Sequence, residues 1–174
     1  MSDDPILVSI EADSWNNALP DAERWIASLA RRTLEAACPG IGPAGISILL
    51  TDDAAIRELN RTWRGKDSPT NVLSFPATET AEGEVPEPEF AGVPLELGDI
   101  ALAYETCARE SGAQGKRFPD HVAHLVLHGV LHLLGYDHLD EDEAQRMEAL
   151  EIRILAGLGI ADPYVTELAG AIDD

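Results

Sequence analysis

All five histidines of this chain fall between positions 121 and 138, and three of them carry a spacing that demands a particular local fold. The run reads His128-Gly129-Val130-Leu131-His132-Leu133-Leu134-Gly135-Tyr136-Asp137-His138. His128 and His132 are four residues apart, so on a helix they lie about 40° apart round the axis and one turn from each other. Two imidazoles so placed can bind one ion. Gly135 lets the chain leave the helix and turn back. His138 follows that turn and can close a third corner. Three neutral nitrogens plus a water form the ligand set of a catalytic zinc with an open fourth position. Imidazole places zinc first among the candidate metals, and the pattern predicts one ion.

Other readings of the cluster stay open at this point. His124 lies one turn before His128 and is either a group behind the ligands or a satisfied helix histidine. His121 reads as structural or exposed. A structural zinc would need a fourth protein ligand; Asp137 is adjacent to His138, and Cys38 and Cys107 are distant in sequence. The same spacing occurs in metzincin peptidases, but those place a glutamate general base directly after the first histidine. Here that position is Gly129, and the only later methionine, Met147, falls inside a predicted helix.

The rest of the chain bounds the setting. Its 174 residues suggest one domain, with 45% hydrophobic and 25% charged residues, which argues against wholesale disorder. The formal charge is 12 − 32 = −20, which excludes a nucleic-acid binder working by bulk positive charge. Two cysteines make no disulfide framework, the first residues are acidic where a signal peptide would be basic, and no apolar run nears the ~18 residues of a membrane helix. The expectation is a cytoplasmic protein without a membrane partner.

The charge is uneven. Residues 21–70 hold seven basic and seven acidic residues and net to zero. Within them Arg57, Arg61, Arg64 and Lys66 against Glu58 give a local +3, enough to grip phosphate locally and salt-sensitively. Segment 76–98 carries six Glu and no basic residue, and 137–174 carries eleven acids against Arg146 and Arg153. These acidic stretches read as solvating surface or as a face for a basic partner such as a ribosomal protein.

Hydrophobic periodicity predicts strands at Ile6–Ile10, Ile46–Leu50, Val72–Phe75 and Leu97–Ala103. It predicts helices over 18–37, 53–63, 104–112, 119 to about 134, and 140 to about 158. Residues 77–94 read as an acidic exposed loop or hairpin arm, and about 162–174 as a frayed acidic tail. The sum is a single α+β domain over 1–174: a small mixed sheet of about four strands covered by helices, with the metal site at the end of a central helix.

A second block stands upstream: Asn60-Arg61-Thr62-Trp63-Arg64-Gly65-Lys66-Asp67-Ser68-Pro69-Thr70-Asn71-Val72-Leu73-Ser74-Phe75-Pro76. Together with Gly98-Asp99-Ile100 and the histidine run, it resembles the YbeY family of bacterial zinc-dependent endoribonucleases, also called rRNA maturation factors. The resemblance covers about residues 46–156. It implies that His128, His132 and His138 hold zinc and that Arg64 is the family's functional arginine. It also implies cleavage of single-stranded RNA in 16S rRNA 3′-end maturation and ribosome quality control, with the small ribosomal subunit and its proteins as partners. Many members carry Asp where this chain has Asn71, so no role as a base can rest on that position.

The chemistry of the residues is compatible. Arg64 has a permanent charge and a planar fork suited to phosphate. Either a water or the ribose 2′-OH could be the attacking group, and no general base is evident. Arg61 and Lys66 read as phosphate-positioning or merely solvated, and Ser74 and Thr70 as cleft hydroxyls or strand-end bonds. Trp63, Phe75 and Tyr136 are aromatic surfaces on which bases could stack, with core packing the simpler assignment for Phe75. The competing hypotheses are a zinc peptidase, which Gly129 disfavours, and a zinc-stabilised, non-catalytic ribosome-assembly factor docking through its acidic surface.

Overall fold

The computed structural model describes residues 5–85 and 93–165. Among them run β1 (Ile6–Ile10), α1 (Ser14–Ala18), α2 (Ala22–Ala37), β2 (Ala44–Thr51), α3 (Asp53–Arg64), β3 (Val72–Pro76), β4 (Leu95–Ala103), α4 (Tyr104–Ala113), α5 (Phe118–Leu133) and α6 (Glu141–Gly157). The sheet order is β1-β2-β4-β3, with β3 antiparallel to β4 and the other pairs parallel. This is the expected mixed four-stranded α+β domain.

Period-two alternation gives the sheet two different faces. On the inner face, register aligns Val8, Ile48, Ile100 and Ser74 in one row, and Ile10, Leu50, Leu102 and Val72 in the next. These rows meet α2 and α5 in the main core. On the outer face the rows are Leu7, Ser47, Asp99 and Phe75, then Ser9, Leu49, Ala101 and Leu73. There α3 sets Ile56 against Leu73, Ala101 and Ala103 in a small second cluster.

α5 is apolar almost all round, and twelve of its residues are buried. A helix of that kind must be enclosed, and α2, α4, α6 and the sheet enclose it. Its C-terminal turn is thereby fixed in space, which is what a metal site needs.

The helix expected over 18–37 begins only at Ala22, and a separate short helix that was not expected precedes it. α1 ends at Ala18, Leu19 is extended, and Asp21 adopts φ 55° before α2 begins. Pro20 is the cause: it supplies no N–H and disfavours a helical Leu19. The short α1 is held by Trp15, fully buried, whose Nε1 donates to Thr51 O at 2.9 Å and whose ring packs against Tyr104 and Phe118.

The 77–94 loop also differs from a free arm. Ala77 N donates to Leu97 O, Gly83 N donates to Leu134 O, and Glu82 pairs with Arg146, so residues 77–83 lie against the end of α5. Residues 86–92 of that loop, and the acidic tail from 166 onward, lie outside the described residues. The start of the expected tail is docked: Lys116 Nζ donates to Pro163 O at 2.9 Å, and Tyr164 packs edge-on against His124.

Candidate metal centre

α5 carries His128 and His132 on its last two turns, and the chain then reverses at Gly135. Gly135 has φ +92°, and a Cβ there would lie 2.3 Å from Ala81 O. Only glycine allows both the turn and the close passage of the 77–83 segment. The reversal brings His138 back, so one ring nitrogen from each of His128, His132 and His138 lies within 4.8 Å of the others. His128 is buried and His132 half-buried, and His138 lies at the surface end of the group.

The hydrogen bonds around these rings determine their tautomers. His132 Nδ1 lies 2.8 Å from Tyr136 O, a carbonyl that can only accept, so Nδ1 carries the proton. His128 Nδ1 lies 2.6 Å from Glu151 Oε2, and Glu151 is fully buried. Burial pushes that carboxyl up, but hydrogen bonds from His124 and His128 outweigh it and hold the group well below the usual carboxylate range. An ionised carboxylate only accepts, so His128 Nδ1 also carries its proton. With both Nδ1 atoms so engaged, the Nε2 atoms are the ring nitrogens left to face each other, 2.9 Å apart. A shared proton or a metal ion fits between two ring nitrogens at that separation, and with the His138 ring beside them the three form a metal-ligand set. Zn–N bonds of about 2.0–2.1 Å would suit this donor set, so the residues fit a metal.

Glu151 was not singled out from the sequence, although a signal was present. It sits on the stripe of α6 that also buries Met147, Ile154 and Leu155, so an acid occupies a core position. Its second oxygen accepts from Tyr164 Oη, and His124 Nε2 stands 3.1 Å from the same hydroxyl and 3.5 Å from Glu151 Oε1. Burial lowers the His124 pKa, so that ring is neutral at pH 7. Burial and Glu151 push the Tyr164 phenol up, so it stays a donor. His124 thus lies behind the triad, sharing Glu151 and Tyr164 with His128. His121 is buried and structural: its Nε2 donates to Glu110 Oε1 at 2.9 Å.

A cleft of about 390 Å³ opens beside the triad. Arg64, Ser74, Glu79, His132 and Asp137 line it. Arg64, the last residue of α3, reaches the edge strand β3, where its Nη2 donates to Ser74 O at 2.6 Å and its Cζ stands 5.5 Å from the Phe75 ring centre. The cleft thus sets one guanidinium and one imidazole beside two carboxylates. By itself that is a poor anion site; a divalent charge at the triad would make it a good one.

Arg61 pairs with Glu58, and Arg57 with Asp67, so much of the local positive charge is internally matched. Asn71 is buried at the head of β3, where its Nδ2 donates to Glu110 and its Oδ1 accepts from Val72 N. The amide acts there as a structural donor.

Gly129 answers the peptidase question. A Cβ at this position would meet Ile100 and Ser74 Oγ at 3.2 Å. The space a glutamate would need is already filled by the sheet.

Comparison with known proteins gives a consistent picture. A family model described as endoribonuclease YbeY matches residues 9–159. A protein named endoribonuclease YbeY from Paramagnetospirillum magneticum is 53% identical over 91% of this chain and 94% of its own length. Another of that name, from Azorhizobium caulinodans, is 53% identical over 94% of this chain and 98% of its own. A solution structure of a Thermotoga maritima protein shares the fold, with TM-score 0.55 and 21% identity over 88% of this chain and 91% of that one.

Proposed function

The chain belongs to the endoribonuclease YbeY family, and from that premise we propose that it is a zinc-dependent endoribonuclease that cuts single-stranded RNA in 16S rRNA 3′-end maturation and ribosome quality control. Membership carries the coarser part, a hydrolytic endoribonuclease of ribosomal RNA maturation. The proposal adds the metal, the residues, the single strand and the place of action.

One observation carries the metal assignment: ring nitrogens of His128, His132 and His138 converge within 4.8 Å of one another, with the Nδ1 atoms of the first two engaged elsewhere. His128, His132 and His138 are the proposed ligands of one zinc ion. When bound, the ion supplies Lewis acidity toward the phosphodiester and activation of water at neutral pH. The chain's residues do the rest. Glu151 and Tyr136 O hold the first two rings in the ligating tautomer. Arg64, anchored on Ser74 O, holds a fixed positive charge at the cleft wall, where it binds the phosphate and steadies the charge that grows on its non-bridging oxygens.

The proposed partners are the 16S rRNA precursor and the small ribosomal subunit with its proteins; toward a basic protein surface Asp140, Glu141 and Asp142, exposed at the start of α6, offer a complementary charge. The proposed setting is the cytoplasm, and no helix among the described residues is long and apolar enough to cross a membrane.

Chelation tests the catalytic role of the metal against a structural one. Treatment with a chelator is expected to abolish cleavage of a labelled single-stranded RNA while circular dichroism stays native, and added zinc restores cutting. Loss of the fold on chelation would instead support a zinc-stabilised assembly factor.

A further inference from the structure

The outer face of the sheet holds an open, largely apolar groove of about 470 Å³. Its floor is formed by Ser47, Asp99 and Phe75 from one outer row and Ser9, Leu49 and Ala101 from the next. α3 covers the β3 side with Ile56 and Leu59, while Leu7, Ser9 and Ser47 on the β1–β2 side are exposed. Trp63, at the end of α3, lines the groove with 70% of its surface exposed and belongs to neither core cluster. Phe75 is half-buried beside it.

The groove and the metal cleft are two sides of one strand edge. Ser74 and Phe75 are consecutive on β3, so their side chains fall on opposite faces. Ser74 lines the cleft and Phe75 the groove. Arg64 joins them, bonded to Ser74 O, stacked over Phe75 and lining the cleft. A strand whose phosphate rests at Arg64 therefore needs only to round the edge of β3 to bring a neighbouring base onto the outer face.

We propose that this groove is a nucleobase subsite, in which a base flanking the scissile phosphate stacks on Trp63 and Phe75. The inference rests on the endoribonuclease reading and names where that substrate is held. Stacking on aromatic side chains of a four-stranded sheet is an established physical route to single-stranded RNA binding. Charge selects the occupant. Residues 57–67 carry Arg57, Arg61, Arg64 and Lys66 against Glu58 and Asp67, 4 − 2 = +2 in a chain of −20, so the approach along α3 favours a polyanion. Inside the groove Asp99 does the opposite: its exposed carboxylate repels phosphate and accepts from base N–H groups, so the base enters and the backbone stays at Arg64. A second copy of this chain would bring its own charge of −20 against the same carboxylate.

The test compares zinc-loaded wild type, Trp63→Ala and Trp63→Phe on a single-stranded RNA and on the same RNA carrying one abasic nucleotide next to the cut site. Trp63→Ala is expected to raise KM roughly tenfold, and more than it lowers kcat, with zinc content and circular dichroism unchanged. Trp63→Phe retains most of the affinity. The abasic substrate costs wild type a similar factor and costs Trp63→Ala little, because the stacking partner is already gone. An unchanged KM in Trp63→Ala, or an equal abasic penalty in wild type and variant, overturns the subsite and leaves the nuclease assignment standing. A change of sedimentation in Trp63→Ala with RNA kinetics unchanged overturns it in favour of a protein partner in the groove. Failure of wild type to cut RNA removes the nuclease assignment itself, and the subsite with it.

Discussion

Glu151 Oε2 accepts a hydrogen bond from His128 Nδ1 at 2.6 Å, between two buried side chains carried by different helices. The contact ties α6 to the histidine pair and turns His128 Nε2 toward His132. It also leaves Glu151 with a full set of partners, since Tyr164 Oη donates to the other oxygen. The carboxylate is therefore held ionised in the interior by donors rather than by water.

Glu151→Gln keeps the shape and removes the charge. Zinc affinity is expected to fall about 10–100-fold, the usual cost of losing a partner that orients a ligand. Competition for zinc against a calibrated chelator measures it, with circular dichroism showing the fold intact. Wild-type affinity in the variant would mean that the carboxylate only fills space.

Asn71 and Glu110 make a second prediction. Burial pushes the Glu110 carboxyl up, but hydrogen bonds from His121 and Asn71 reverse this and leave it below its ordinary value. A depressed folded pKa contributes stability that is present above the unfolded value, about 4.3, and is lost as pH falls through the folded one. Glu110→Gln should therefore flatten the acid limb of the stability curve. Asn71→Asp does the reverse: it sets two carboxylates against each other, and one folded pKa rises. That variant should lose about 1–3 kcal/mol at pH 7 and recover as the pH is lowered toward 4–5. Urea melts at several pH values provide the check; a pH-independent loss would place the cost elsewhere.

Gly129 should resist enlargement. Alanine gains about 1 kcal/mol in helix propensity, but overpacking a core costs typically about 1–3 kcal/mol. The contacts at 3.2 Å are with Ile100, buried on the central strand β4, and with Ser74, so packing is expected to win. Gly129→Ala should be destabilised by about 1 kcal/mol with zinc binding retained. Gly129→Glu, which buries an unpartnered charge, should cost several kcal/mol and gain no peptidase activity. A stable Gly129→Glu protein that cleaves casein would reverse the argument.

Much of this was legible in the sequence because it rests on local rules. The i, i+4 pair, the glycine and the third histidine specify a helix end and a return, and α5 ends where that pattern requires. Asp52 and Asp140 cap α3 and α6 with the hydrogen bonds their positions suggest. What escaped the sequence is long-range. The glutamate behind His128 lies 23 residues away, and only its place on an apolar stripe marks it. The docking of 77–83 and of Tyr164 depends on surfaces that exist only after the chain has folded. The break at Pro20 was the local signal that a continuous apolar period concealed.

The central claim is that this chain cuts RNA with Arg64 at the cleft wall and with His128, His132 and His138 as the residues that would hold its metal ion. The most direct measurement is cleavage of a labelled single-stranded RNA by wild type, Arg64→Ala and His132→Ala purified side by side, with zinc content and circular dichroism for each. Wild type is expected to cut. Arg64→Ala should keep its zinc and fold and lose about 10²-fold or more in rate, the scale of one lost transition-state donor. His132→Ala should lose both zinc and cutting. Equal cutting by all three, or a zinc-loaded wild type that cuts nothing, would contradict the account.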